Sequence, residues 1–409
     1  MYKRQVLRSG GGVFYDRVYN NIFENIRFNP PYFCDCILGS IQNGVAGGAI
    51  ATPGLLAVPF TATSQFVNPA LFPVLPKARP RHMNQDLVAP YYMQYSFGLQ
   101  YAISKDMALE TNYIGTLGRK LLGIYNINTF DGRLSGIGST ARPNTKIGSD
   151  NFRSGAFTSN YNGLAVTLRK RFSAGLQFNA NYTFAKSLDE LSDAFRGKGS
   201  TVPTDPMNLR NDYGPSDFDV RHRVVFSPTY DLPFMKGNRW LGGWSVNSIV
   251  SWQTGAPIAL LDSIADPNGS GVTNQRPAFV GTSLAGAINT SVSPAHGYIK
   301  AGNFAEVDQF NGIGCSSTIN LGAWCNSTLK RGSLHGPHFA NIDFGISKGF
   351  KITGSAKLTF EGNFFDLLNH PNFANPNGNV VDPNFGNSQA TFGGVGGHRV
   401  TQLALRFDF

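Results

Sequence analysis

"SDFDVRH", residues 216–222, brings Asp217, Asp219 and His222 close together. A carboxylate that orients an imidazole can make a general base, provided that both serve the same water. Asp219 and His222 stand three apart, however, and in an extended strand such residues point to opposite faces. The spacing favours polar residues at a strand's rim over a proteolytic pair. "DLLNHPNF" offers Asp366, Asn369 and His370 before Pro371. A single imidazole there could bind a metal, but a lone His in a loop-opening turn is usually turn chemistry. "DPNGSG", residues 266–271, opens like a calcium loop, yet Pro277 stands where the closing Glu is needed. "GGVGG", residues 393–397, has no helix behind it to complete a phosphate cradle. The cysteines fall as Cys34-x-Cys36 and Cys315-x9-Cys325, neither in a CxxC pattern. Zinc ligation therefore yields to a loop disulfide between Cys315 and Cys325, worth about 2 to 3 kcal/mol in an oxidising compartment. No nucleophile, metal set or cofactor cradle is assembled, and no enzymatic role is expected.

The elements around these residues are strands. Leu164, Val166, Leu168 and Phe172 share one face, opposite Ala165, Thr167, Arg169 and Arg171. After Ser173 the alternation resumes, with Leu176, Phe178, Ala180, Tyr182 and Phe184 opposite Gln177, Asn179, Asn181 and Thr183. This is a hairpin by period-two logic, and each arm is near the ~9 to 11 residues that a tilted strand needs to cross a bilayer. The pattern recurs from Tyr91 to Tyr101, after Met107, and through residues 220–232 and 243–255. It returns at Ile342–Ile346, Leu358–Phe364 and Leu403–Phe409, and less regularly over residues 6–19, giving ten strands.

The links alternate in length. Short ones fall near 103–106, 172–175, 232–243 and 348–355; long ones, rich in Gly, Pro, Asn and Ser, fall near 20–90, 118–160, 188–216, 256–336 and 369–396. Soluble domains seldom hold five structureless loops longer than about 12 to 15 residues, whereas outer-membrane barrels combine short periplasmic turns with long outer loops. The expected fold is all-β: an antiparallel transmembrane β-barrel of about ten strands, with long extracellular loops and short periplasmic turns. Its apolar face meets lipid. Thr167, Arg169, Arg171, Gln177, Asn179 and Asn181 then face the lumen. Arg169 and Arg171, with Lys105 and Lys348 near short turns, either touch a plug domain or a passing anion, or solvate that lumen. In the 256–336 loop, Tyr298 and Trp324 are candidates to stack on a small-molecule, carbohydrate or peptide ligand.

Composition agrees. Charged residues make up 15% of the 409, against about 25% in typical soluble domains, while aromatics reach 12% and glycine 47 positions. The least polar stretch, Val45–Phe60, is broken by Pro53 and Pro59 and reads as loop, not as a spanning helix. The net charge of +10 is scattered without a basic block, so nucleic acid is not an expected partner. "MYKRQVLRSGGG" has no apolar core or cleavage site of a signal peptide.

Several stretches together resemble the later barrel of the Oar-like TonB-dependent transporters of Gram-negative bacteria, notably Acidobacteria. They are "YYMQYSFGLQYAISKDMALETNYIGTLGRKL", "SNYNGLAVTLRKRFSAGLQFNANYTFAKSLDE", "NDYGPSDFDVRHRVVFSPTYDLPF", "GGWSVNSIVSWQTGAPIAL", "FEGNFFDLLNHPNFANPN" and "TFGGVGGHRVTQLALRFDF", covering most of residues 90–409. The resemblance implies an outer-membrane receptor that moves its substrate with energy delivered by the TonB complex. It also implies that Leu403, Leu405, Phe407 and Phe409 form the signal read by the outer-membrane assembly machinery. Members of that family carry a signal peptide, a plug domain and about 22 strands. Residues 1–409 are accordingly expected to be a C-terminal barrel portion without plug, appearing either as an open, strongly curved sheet or as a forced small barrel. A passive porin, complete as written, and a surface structural or adhesion protein are the alternatives.

Overall fold

A computed structural model describes residues 4–24, 26, 80–129, 142–145, 147, 150–193, 203–234, 238, 240–263, 275–307, 315–319, 324–353, 356–392 and 398–409. In chain order the elements are β1 (Gln5–Tyr15), a five-residue helix α1 (Asn20–Glu24), β2 (Arg81–Met83), β3 (Tyr91–Ala102), β4 (Met107–Asn126), β5 (Asn151–Ser173), β6 (Leu176–Asp189), β7 (Gly214–Pro215), β8 (His222–Asp231) and β9 (Trp244–Gln253). Two small pairs follow, β10 (Ala278–Phe279) with β11 (Phe304–Ala305), and β12 (Cys315–Ile319) with β13 (Trp324–Ser327). The last three are β14 (Phe339–Thr353), β15 (Ala356–Phe365) and β16 (Val400–Asp408).

Ten strands pair antiparallel in the order β1-β3-β4-β5-β6-β8-β9-β14-β15-β16. β2 adds to β5 in parallel, and β7 to β6. The sheet is open: β1 and β16 are the two ends of the path and do not pair with each other. Up-and-down connection follows from the link lengths, since two-residue and four-residue turns can only join neighbours. The turn at Ala174 and Gly175 has both residues at positive φ (53° and 80°), the geometry that lets a two-residue turn follow the right-handed twist of its strands. Asp408 opposes Lys357, so β16 ends on the same side as the short turns.

One expected loop is shorter than its sequence suggests. The 118–160 link shrinks to residues 127–150, because β4 and β5 stay paired as far as Asn126 and Asn151. Register shifts between Gly118 and Leu121 and between Leu121 and Gly123, with Lys120 at φ 55°, break the two-residue period that marks a strand in the sequence. At about 3.4 Å per residue the 23 residues of β5 far exceed the ~30 Å hydrocarbon layer, so its first part stands outside.

Among the described residues, the sheet's apolar face carries no second layer. The hydrophobic core lies instead in the long loops: Ile258, Leu260, Ala287, Tyr298, Ile299, Phe304, Leu329, Leu334 and Phe385 pack together, with Phe279, Ile288 and Val380 against them. Two segments that read as structureless, 256–336 and 369–396, thus share a core of their own.

Candidate functional site: the polar sheet face and the loop assembly

Register decides which side chains share a face. Leu99, Thr111, Val166, Tyr182, Val224, Trp252 and Ala340 oppose one another in turn across seven strands. Gln100, Glu110, Thr167, Asn181, Val225, Ser251 and Asn341 form the neighbouring row on the other face. The first face is apolar and open. Phe97 is 54% exposed, Phe184 43%, Leu403 66% and Leu405 70%, although burying each would release about 1.5 to 3 kcal/mol in water. Such a face, continuous over a whole sheet, needs an apolar solvent. On the same face, the Tyr95 and Tyr113 hydroxyls both donate to Asn162 Oδ1, at 3.2 and 2.7 Å, and Tyr182 Oη lies 2.9 Å from His222 Nδ1. Tyrosines paired in this way at the loop end of an apolar band fit a membrane boundary.

Five of the six residues expected on the lumen side are brought onto the polar face. Thr167 opposes Asn181 and donates its hydroxyl at 3.0 Å, Arg169 opposes Asn179, and Gln177 shares their parity opposite Thr229. Arg171 falls in the register shift between Lys170 and Ser173, so pairing leaves its face unassigned.

Lys348 is corrected. It opposes Trp244 and Phe360 on the apolar face, not on the lumen side, and is 1% exposed. Its ammonium donates to the carbonyls of Trp240 and Gly242, the latter at 2.8 Å, and sits 5.1 and 4.8 Å from the Trp244 and Phe350 ring centres. A charge on the lipid side is tolerated near the boundary, where its stem lies along apolar surface and its head finds polar partners.

At the loop end, buried ion pairs fasten the loop assembly to the strands. Arg331 Nη1 donates to Asp189 Oδ1 at 2.6 Å, and Nη2 to Ser192 Oγ at 2.6 Å and Asp217 Oδ1 at 3.1 Å. Burial alone would lower the Arg331 pKa, but Asp189 and Asp217 outweigh it and hold it above its ordinary value. Ser216 Oγ donates to the other oxygen of Asp189 at 2.6 Å. A second guanidinium, Arg276, bonds Asp212, and its Nε donates to the Leu329 carbonyl at 2.8 Å.

The chemistry-bearing motifs are dispersed by this arrangement. Asp217 belongs to the Arg331 cluster; Asp219 accepts from the Ser187 amide at 2.6 Å; His222 stacks on Tyr182 on the lipid side. Asp366 and Asn369 have positive φ, Asp366 Oδ1 accepts from the His370 amide at 3.0 Å, and Asn369 Oδ1 from the Arg399 amide at 2.8 Å, which is turn chemistry. Tyr298 is packed in the loop core and its hydroxyl donates to the His335 carbonyl at 3.2 Å, so its ring is occupied by protein contacts and not offered to a ligand. Cys315 opposes Ser327, and Cys325 opposes Thr318, placing the two cysteines on adjacent strands but out of direct register. The Trp324 side chain, Cys34, Cys36, and residues 266–271 and 393–397 lie outside the described residues. Arg276 and Arg331 were not singled out from the sequence, because their partners lie tens of positions away or more and no local spacing marks them.

A family model described as outer membrane beta barrel domain matches residues 1–402. No curated protein matches the chain. Among solved structures, the outer membrane transporter YddB from Escherichia coli aligns with TM-score 0.42 at 12% identity, over 81% of this chain and 34% of its own. The pyoverdine receptor FpvA from Pseudomonas aeruginosa PAO1 gives 0.40 at 11%, over 80% and 31%, and the FrpB iron transporter from Neisseria meningitidis 0.37 at 11%, over 80% and 32%. The chain therefore spans about a third of the length of these proteins.

Proposed function

Given that this chain belongs to the outer membrane β-barrel domain family, we propose that it forms part of the wall and outer loops of an energy-coupled receptor that imports a substrate across the outer membrane. The observation that carries this reading is the loop assembly, a hydrophobic core of its own fixed to the strand ends through Arg331 and Asp189. A passive pore needs an open mouth, whereas a receptor needs an ordered outer surface on which a ligand is held before the path opens. In this reading the polar rows through Thr167, Arg169, Asn179 and Asn181 line the path, the TonB complex acts through a plug, and the ligand is a small molecule, carbohydrate or peptide.

The second reading, a passive channel, is favoured by the same polar rows, which suit a water-filled lumen. Planar-bilayer recording of the purified chain separates the two. A capped receptor wall is expected to leave the membrane quiet at rest, and regular conductance steps would overturn it. In cells, loss of TonB should abolish uptake as fully as loss of this protein; uptake that survives loss of TonB argues for the channel.

A further inference from the structure

Two buried arginines of the loop end bond carboxylates, Arg276 with Asp212 and Arg331 with Asp189. Arg153 does not. It lies in the part of β5 that stands outside the membrane, is 2% exposed, and its Nη1 donates to the Asn151 carbonyl at 3.1 Å. Among the described residues, its Nε donates to nothing and no carboxylate pairs with the guanidinium. Burial, and after it the charge of Arg81, holds its pKa below the ordinary value. A guanidinium out of water without a counter-charge is unfavourable, so a long side chain kept inward in this way lacks a partner.

Register explains how the two cations come together. β2 runs parallel to β5, with Arg81 opposite Asn151 and Met83 opposite Arg153, and β4 sets Asn126 and Ile124 against the same two positions. Residues opposed in this way share a face, which puts Arg81, Asn126, Asn151 and Arg153 on one side of the extension and His82 with Phe152 on the other. The carboxylate nearest in sequence, Asp150, is turned to His82, whose Nδ1 lies 2.7 and 2.6 Å from its two oxygens. It is thereby withheld from Arg153. The main chain here is fixed, since the Asn84 amide donates to the Arg153 carbonyl at 2.8 Å and the Asn151 amide to that of Pro80 at 3.0 Å.

We propose that Arg153, with Arg81 beside it, is a binding site for a soluble oxyanion, a carboxylate or phosphate group that supplies the missing counter-charge. Guanidinium forks match both groups, and a second guanidinium on the same face adds donors. Arg81 is only partly buried, which leaves the edge of the site open to solution. Arg153 lies about 30 Å along β5 from Asn162, where the boundary tyrosines meet, so the anion comes from solution and not from a bilayer headgroup. In the receptor reading, on which the site itself does not depend, such a group is an acidic handle on the ligand.

The test titrates the full chain, folded in non-ionic detergent, with inorganic phosphate and separately with acetate, at an ionic strength held constant with chloride. Saturable binding of at least one anion by wild type is expected, weakened in Arg153→Lys, which keeps the charge without the fork, and lost in Arg153→Met. Hydrogen exchange at the Asn84 and Asn151 amides of wild type should slow about tenfold at an anion concentration ten times the dissociation constant. That measurement decides the matter even if the methionine variant fails to fold. Absence of saturable binding by wild type, undiminished binding by Arg153→Met, or slowing confined to other amides overturns the site. Conductance and TonB dependence are read separately, so failure here leaves the receptor and channel readings as they stand.

Discussion

Arg331 and Asp189, 142 positions apart, meet at 2.6 Å with both side chains nearly closed off from solvent. The contact ties the loop between β9 and β14 to the last residue of β6, and Asp217 adds the following loop. A single guanidinium thus holds three segments of the outer end.

Replacing Arg331 by methionine leaves Asp189 buried without its cation. Breaking such a pair from one side costs about 3 to 5 kcal/mol. Amides near Asp189, Ser216 and Leu334 are expected to lose hydrogen-exchange protection by the corresponding amount, while the paired strands β8 and β9 keep theirs. Arg331→Lys should recover little, because one ammonium cannot replace the two-nitrogen fork that reaches Asp189 and Asp217 together.

The sheet was legible in the sequence because its signal is local. Leu176 to Phe184 alternate with Gln177 to Thr183 inside one strand, and the register joins these faces as the pattern implies. The 118–160 stretch was not legible, since Lys120 and the register shifts beside Leu121 interrupt the period that strand reading depends on. Lys348 misled for a related reason: a lysine near a turn reads as lumen or solvent, and only the carbonyls of Trp240 and Gly242 explain its place among aromatic rings. The loop assembly was hidden altogether. Ile258, Tyr298 and Phe385 meet through folding of distant irregular segments, which leaves no periodicity to read.

Neighbouring residues on opposite faces should respond differently to the same charge. Phe226 pairs with Ala180 and Val250 on the lipid side, while Ser227 opposes Asn179 on the polar side. Phe226→Lys is expected to lower folding stability in vesicles by about 2 to 4 kcal/mol if it lies near the bilayer midplane, and Ser227→Lys to change it far less. Urea titration of refolding reads both, and equal losses would contradict the assignment of the faces.

Gly255 marks where β9 gives way to the loop assembly. A Cβ built there would lie 1.8 Å from the Gly336 carbonyl oxygen and 2.7 Å from that of Pro337, both main-chain atoms without freedom to turn aside. Gly255→Ala is therefore expected to push the two segments apart and break the bridge between Pro257 and His335. Faster proteolysis between residues 256 and 336, with the sheet intact by circular dichroism, is the readout.

Acid should loosen the same assembly from another point. Burial holds the His335 pKa below its ordinary value; Asp219 opposes this and Arg221 adds to it. The unfolded loop consequently takes up a proton at a pH where the folded loop still refuses one. Stability is complete above the ordinary histidine value of about 6.5 and declines as the pH falls from there toward the folded value, because the unfolded form binds more protons in that window. His335→Gln removes the proton uptake but keeps the main-chain carbonyl that Tyr298 uses. Hydrogen-exchange protection of the loop core, followed from pH 7.5 down to about 5, is expected to fall in wild type and to stay flatter in the variant. Parallel loss in the two proteins would rule out His335 as the source of the acid sensitivity.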